Sequence, residues 1–166
     1  LPGGVMSEWL LSQAAVDTVL EISGPYGAFF LQDSGKAPLV MIAGGTGLAP
    51  MMAMIDVIRA RPGLKPPIHL SFGCQSAEGL FHGEAIGLRA MWLPRLSVTT
   101  SVDRGPAPDG VRIGNPVEAV GMDGPLDPAT VAYLCGPPGM IEAARRHLQA
   151  LGVAPGNIHA EQFVAS

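Results

Sequence analysis

The sequence predicts a doubly wound α/β fold, a five-stranded parallel sheet preceded by the tail of a β domain. Three observations carry that prediction. From residue 37 on, short apolar runs of strand length alternate with segments whose apolar residues recur at helical spacing. Two of those runs end in glycine-rich turns, Gly44-Gly45-Thr46-Gly47 and Gly136-Pro137-Pro138-Gly139. Residues 1–33 read differently, as one short helix and two or three extended pieces.

In chain order, Gly3-Gly4 turns into a short amphipathic helix that Ser7 can cap, with Leu10 and Leu11 facing inward. Residues 18–23 alternate as a strand, Gly24-Pro25-Tyr26-Gly27 turns, and Phe29-Phe30-Leu31 resumes extended structure. So few strands cannot close a sheet. Residues 1–33 are therefore expected to end a larger β domain, and Leu1-Pro2-Gly3-Gly4 to lie inside a longer chain. Asp33-Ser34-Gly35-Lys36 is a polar hinge to the second unit, residues 37–166.

That unit opens with its most informative stretch. Residues 39–43 have the length and β-branched content of a strand buried on both faces. The glycine turn follows, and then Met51, Met54, Ile55 and Ile58 fall at helical spacing. Strand, glycine turn and helix together make a phosphate-binding geometry. Side chains are missing where a pyrophosphate must approach, and the free N–H groups of the first helical turn point at it. Pro50 fits that first turn, where a missing N–H costs nothing. Two other readings stand beside this one. The uncharged interval between Lys36 and Asp56 has membrane-spanning length, but Gly44, Gly45, Gly47 and Pro50 fall in its middle. A plain tight turn without a ligand also fits, since Pro50 stands where a dinucleotide fingerprint has its third glycine, and no Walker Gly-Lys-Ser/Thr occurs.

Further on, residues 68–72 form a second strand ending at Gly73-Cys74-Gln75, and residues 79–91 a helix. Residues 96–102 are a third strand. A glycine- and proline-laden loop spans 104–114, and a short helix is expected near 116–120. Residues 130–135 are the fourth strand. A helix over 140–151 follows, with Ile141, Ala144, Leu148 and Leu151 on one face and Arg145, Arg146 and His147 on a solvated one. Residues 158–163 close the sheet. In such sheets ligands bind at the carboxyl ends of strands beside the topological switch, where both glycine turns fall.

Bulk properties exclude several classes. At 48% hydrophobic and 14% charged, the 166 residues can bury a sizeable core and are too apolar for disorder. A net charge of −4 with no basic run longer than Arg145-Arg146 argues against nucleic acid. Cys74 and Cys135 have no close partner in sequence, which excludes a disulfide framework and points to a reducing, cytoplasmic compartment. His69, His82, His147 and His159 lack metal-ligand spacing, so no metal site is expected. There is no four-cysteine iron–sulfur spacing and no Gly-x-Ser-x-Gly nucleophile elbow.

Five segments, in order and in register, give the chain a recognisable character. They are Gly4-Val5-Met6-Ser7, Gly24-Pro25-Tyr26-Gly27, Gly44 to Gly47 with Leu48-Ala49-Pro50, Cys135 to Met140, and the closing Ile158-His159-Ala160-Glu161-Gln162-Phe163. Together they resemble the ferredoxin–NADP reductase-like flavoprotein family, most closely its oxygenase-reductase branch. The resemblance implies an FAD-binding β-barrel, of which residues 1–33 are the C-terminal remnant, followed by an NAD(P)-binding domain over 37–166. It implies hydride transfer from NADH or NADPH to FAD, with electrons passed on to an oxygenase, ferredoxin or other iron–sulfur partner.

Carried over residue by residue, Gly4, Val5, Met6 and Ser7 start the helix that holds the FAD pyrophosphate. Gly44, Gly45, Thr46, Gly47 and Pro50 hold the pyrophosphate of the nicotinamide nucleotide. Cys135, with Gly136 and Pro137, lies beside the nicotinamide, and Met140 belongs to the core of the last helix or to the cofactor contact. Glu161 orients nearby groups, and Phe163 covers the flavin until nicotinamide displaces it. Cys135 and Phe163 also fit plain core roles. Where relatives often have Gly-x-Arg, Gly73-Cys74-Gln75 carries an amide, which favours NADH over NADPH. The family's Arg-x-Tyr-Ser flavin motif occurs nowhere. A non-catalytic nucleotide-binding or subunit-contact module is therefore the alternative reading.

Overall fold

A computed structural model describes residues 4–24, 26–122 and 125–163. Leu1, Pro2 and Gly3 of the opening and Pro25 of the expected turn lie outside the described residues. The elements run α1 (Val5–Ser12), β1 (Leu39–Gly44), α2 (Leu48–Ala60), β2 (Ile68–Cys74), α3 (Gly83–Trp92), β3 (Leu96–Val102), β4 (Val111–Ile113), β5 (Val131–Gly136), α4 (Pro138–Ala150) and β6 (Ile158–Gln162).

The six strands form one parallel sheet in the order β4-β3-β2-β1-β5-β6. β1 and β5 sit centrally and are buried along their whole lengths, as two-face burial of their apolar runs requires. The chain winds outward from β1 to β4, then returns to β5 on the other side of β1. That reversal is the switch point, and both glycine turns leave from it.

Alternation along the strands divides the core in two. Leu39, Met41, Ala43, Tyr133 and Cys135 face α2 and α3, where Leu48, Met51, Met54, Ile55 and Ile58 fill the space. Val40, Ile42, Ala132 and Leu134 face the other side, against Ile141, Ala144 and Leu148 of α4 and Val117 and Val120 of the loop before β5. A fully buried apolar side chain is worth roughly 1.5–3 kcal/mol, so the wholly buried Leu48, Met51 and Ile55 fix α2 by packing far more than by helix propensity.

The structure corrects several expectations. The sheet has six strands, not five. Val111–Ile113 lies inside the glycine- and proline-rich loop and pairs with Thr100, Ser101 and Val102. Three residues are too short to show a period. No helix forms over 116–120. There Asn115 Oδ1 accepts from the N–H groups of Val117 and Glu118, closing a local turn that competes with a helix. The helix expected from residue 79 begins at Gly83, after a 3₁₀ turn over Ala77–Gly79 and His82 at φ 59°.

Before β1 the departures are larger. α1 has Gly4 at its N-cap, Ser7 lies within the helix and caps nothing, and Leu10 and Leu11 are exposed, the latter at 89%. Residues 18–23 and 29–31 join no ladder, and Val19 is 93% exposed. A strand needs a partner, and among the described residues before β1 there is none. On α4, Arg146 is exposed but its neighbours are engaged. Arg145 donates to the Ile158 carbonyl at 3.2 Å, and His147 Nε2 lies 2.8 Å from the Val120 carbonyl oxygen. No helix among the described residues is long and apolar enough to cross a membrane.

Candidate functional site

β1 and β5 pair in register, Ala43 opposite Cys135, so their two turns emerge side by side. The turns also interlock. A Cβ on Gly47 would stand 2.1 Å from the Cys135 carbonyl oxygen, and one on Gly44 would meet Met140 Sδ at 2.8 Å and Pro137 Cδ at 3.0 Å. A Cβ on Gly136 would lie 2.6 Å from Met140 Cε and 3.2 Å from the Gly44 nitrogen. At Gly47 the obstacle is backbone, which demands glycine; at Gly44 and Gly136 it is first the Met140 side chain, and Gly136 also has φ 157°. Gly45 is glycine for a different reason, its φ of 53°.

Over this junction opens a cavity of about 720 Å³, within the usual range of small-molecule sites. Its floor is the carboxyl end of the sheet, from Gly44, Gly45 and Thr46 across Gly73, Cys74 and Gln75. Pro137, Gly139, Met140 and Ala143 of the β5–α4 junction form one side, and Phe163 adjoins them. Gly79, Phe81, Asp103 and the Asn115-Pro116-Val117 loop complete the wall. A 3₁₀ turn over Gly45–Gly47 runs directly into α2, whose first residue, Leu48, returns its N–H to the Gly45 carbonyl and whose third, Pro50, has none.

Of the residues singled out from sequence, Gly44, Gly45, Thr46, Gly73, Cys74, Gln75, Pro137, Met140 and Phe163 line the cavity. Gly47 and Gly136 shape it from behind. Cys135 is 1% exposed and points into the core beneath α2, not into the cavity. Glu161 stands opposite Cys135 on β6, is exposed, and is not among the lining residues. The Phe163 N–H donates to the Gly136 carbonyl at 3.1 Å, which ties the end of β6 to the second turn. Gly4, Val5, Met6 and Ser7 form the start of α1 and are not among the lining residues.

Gly139, part of the second glycine turn, lines the cavity too, whereas sequence reasoning missed Gly79, Phe81, Asp103, Asn115, Pro116, Val117 and Ala143. Asp103 had a readable signal, since it follows directly on the carboxyl end of β3, the sheet edge at which Gly44 and Gly136 also lie. The Asn115 loop had none, because it reaches the cavity only by folding back over β2.

Among the described lining residues, Cys74 and Asp103 are the titratable ones, and no lysine or arginine is present. Burial pushes the Cys74 thiol up, with the Asp103 carboxylate adding to the effect and a bond from the Gly45 backbone opposing it. Cys74 Sγ donates to the Gly79 carbonyl at 3.0 Å. Burial also pushes the Cys135 thiol up to about 11, helped by the charge of Glu161. Both cysteines are therefore neutral thiols near neutral pH and poor nucleophiles. Just outside the wall, Arg104 Nη2 lies 3.2 Å from Gln75 Oε1.

A doubly wound parallel sheet with two interlocked glycine turns at its switch point, under a cavity of this size, defines a dinucleotide-binding type of α/β domain. The chain belongs to the oxidoreductase NAD-binding domain family, whose model matches residues 41–146. It is 36% identical, over its full length, to the ferredoxin–NAD(P)+ reductase component of naphthalene 1,2-dioxygenase/salicylate 5-hydroxylase systems from Ralstonia, covering 50% of that protein. It is 37% identical to the toluate 1,2-dioxygenase electron transfer component of Pseudomonas putida, covering 48% of it. Among solved structures, the Amycolatopsis cytochrome P450 reductase GcoB superposes with a TM-score of 0.86 at 31% identity, over 98% of this chain and 50% of that one. The chain thus spans about half the length of the relatives it matches.

Proposed function

We propose that this chain is the pyridine-nucleotide-binding part of a cytoplasmic flavin-dependent reductase. In this reading it takes hydride from NADH to FAD and passes electrons on to an oxygenase or iron–sulfur partner. The carrying observation is the cavity at the switch point, walled by Thr46 on one turn and Pro137 on the other. The reductase and electron-transfer relatives support the same reading.

Within it, the backbone of the Gly44–Thr46 turn, on the positive end of α2, binds the pyrophosphate, since no lysine or arginine is among the described lining residues. The adenosine half extends over β2 and β3, and the nicotinamide half toward β5 and β6. The nicotinamide, when bound, supplies a hydride, and the protein's task is to orient it and exclude water. Buried Cys135 contributes a small, neutral backing to the second turn rather than an exposed nucleophile. Phe163, 38% exposed at the cavity rim, shields the flavin-facing side and moves aside for nicotinamide. Glu161 positions neighbouring groups. The FAD pyrophosphate is assigned to Gly4, Val5, Met6 and Ser7 at the start of α1, and no residue of this chain is assigned to the isoalloxazine ring.

NADH is preferred to NADPH. Asp103 offers a carboxylate that can accept hydrogen bonds from ribose hydroxyls and repels a 2′-phosphate. The nearby Arg104 is engaged with Gln75.

The test is spectroscopic. The purified chain supplied with FAD and then NADH should lose flavin absorbance. Binding of NADH without any uptake of supplied FAD would instead favour the second reading, a nucleotide-binding or subunit-contact module without redox turnover. That reading has one observation in its favour: among the described residues before β1, no strand of a flavin barrel forms.

A further inference from the structure

We propose that Ser71 is a positioning residue for the adenosine end of the cavity, acting through the Asn115-Pro116-Val117 loop. This rests on the dinucleotide reading above and names a residue that sets its affinity.

Ser71 lies mid-strand in β2 at 0% exposure, where its neighbours Leu70 and Phe72 are apolar and equally enclosed. A hydroxyl at such a place loses its hydration and adds nothing to the sheet unless it finds a partner. Its partner is 45 residues away: Oγ donates to the Pro116 carbonyl at 2.7 Å. Two residues along on the same face, Gly73 receives the Pro116 ring so closely that a Cβ there would stand 2.5 Å from Cδ. Donor and gap together form a seat for one proline.

Around this seat, Val117 packs into the core on the α4 side, and His147 Nε2 lies 2.8 Å from the Val120 carbonyl oxygen. Gly114 N–H donates to the Val102 carbonyl at 2.9 Å, and Asn115 Oδ1 collects the Val117 and Glu118 N–H groups at 3.0 and 3.1 Å. Those bonds set the loop's internal shape and tie it to β3, the buried Val117 holds its far side, and Ser71 is a polar anchor from β2 itself. Pro116 has no N–H, so its carbonyl is the backbone group available there for anchoring. Ser71 takes it. Asn115, Pro116 and Val117 all line the cavity over β2, the side of the pyrophosphate turn on which adenosine is carried. A change of a few tenths of an ångström in the loop alters the adenosine slot and leaves the pyrophosphate turn, on β1, where it is.

Calorimetric titration of the whole chain with ADP-ribose and with inorganic pyrophosphate tests this. Ser71→Ala should raise the Kd for ADP-ribose about five- to tenfold, the equivalent of one lost buried hydrogen bond, and leave pyrophosphate binding within twofold (roughly) of the parent. Gly73→Ala, which pushes on Pro116 by a different route, should likewise raise the Kd for ADP-ribose. An unchanged ADP-ribose affinity in Ser71→Ala, or an equal loss for both probes, would overturn the proposal and leave Ser71 a structural residue. Failure of the parent chain to bind ADP-ribose would overturn the dinucleotide reading itself, and this inference with it.

Discussion

Gly47 and Cys135 are locked together through the backbone: the place a Cβ would take on Gly47 is 2.1 Å from the Cys135 carbonyl oxygen and 2.6 Å from its carbon. Gly47 has φ −61°, which every residue adopts, so it is the close approach and not the dihedral that demands glycine. This contact holds the β1 turn against the end of β5 and so makes one cavity out of two strand ends.

Gly47→Ala should therefore be severe. The clash is with backbone, which cannot rotate away, and overpacking of this kind costs about 3 kcal/mol. The urea unfolding midpoint reads the loss directly, and NADH affinity should fall with it. A variant with parental stability would mean that the two turns separate freely.

In the proposed NADH-binding reading, Asp103→Ala should narrow the discrimination against the phosphorylated cofactor. Removing the carboxylate from the cavity wall takes away repulsion of a 2′-phosphate and a partner for ribose hydroxyls. The ratio of NADPH to NADH dissociation constants is expected to shift about tenfold toward NADPH. Equilibrium titration with both nucleotides measures it.

Above pH 9 stability should decline. Cys135 is pushed from the ordinary thiol value of 9.0 up to about 11, and burial moves the Tyr133 phenol upward as well. The folded chain thus keeps protons that the unfolded chain releases, so these groups stabilise fully below the unfolded pKa and lose that contribution as pH rises toward the folded one. Denaturant midpoints measured from pH 8 to pH 11 should fall across that window. Cys135→Ala should fall less steeply, with Tyr133 supplying the remaining slope.

Tyr133→Phe should loosen the entry to the domain. The wholly buried Tyr133 accepts the Gln32 N–H at 2.8 Å, meets Phe29 edge-on with ring centroids 6.1 Å apart, and stacks on His159 at 5.3 Å. Losing the hydroxyl removes one hydrogen bond, worth about 1 kcal/mol. Amide exchange at Gln32 should accelerate about fivefold while the amides of β5 keep their protection.

The parallel sheet, its central strands and the helices α2 and α4 were legible in the residues alone, because burial on two faces or one stripe leaves a periodic mark. So were the two glycine turns, since a chain that must pass close to another cannot hide the missing side chains. The three-residue β4 left no period to read, and the strand expected over residues 18–23 failed because alternation supplies a face but not a partner. Tertiary structure alone decided that Cys135 turns into the core, that the Asn115 loop joins the cavity wall, and that Ser71 holds Pro116 across 45 residues. Those facts depend on which residues distant in sequence come within bonding distance, and local chemistry carries no record of that.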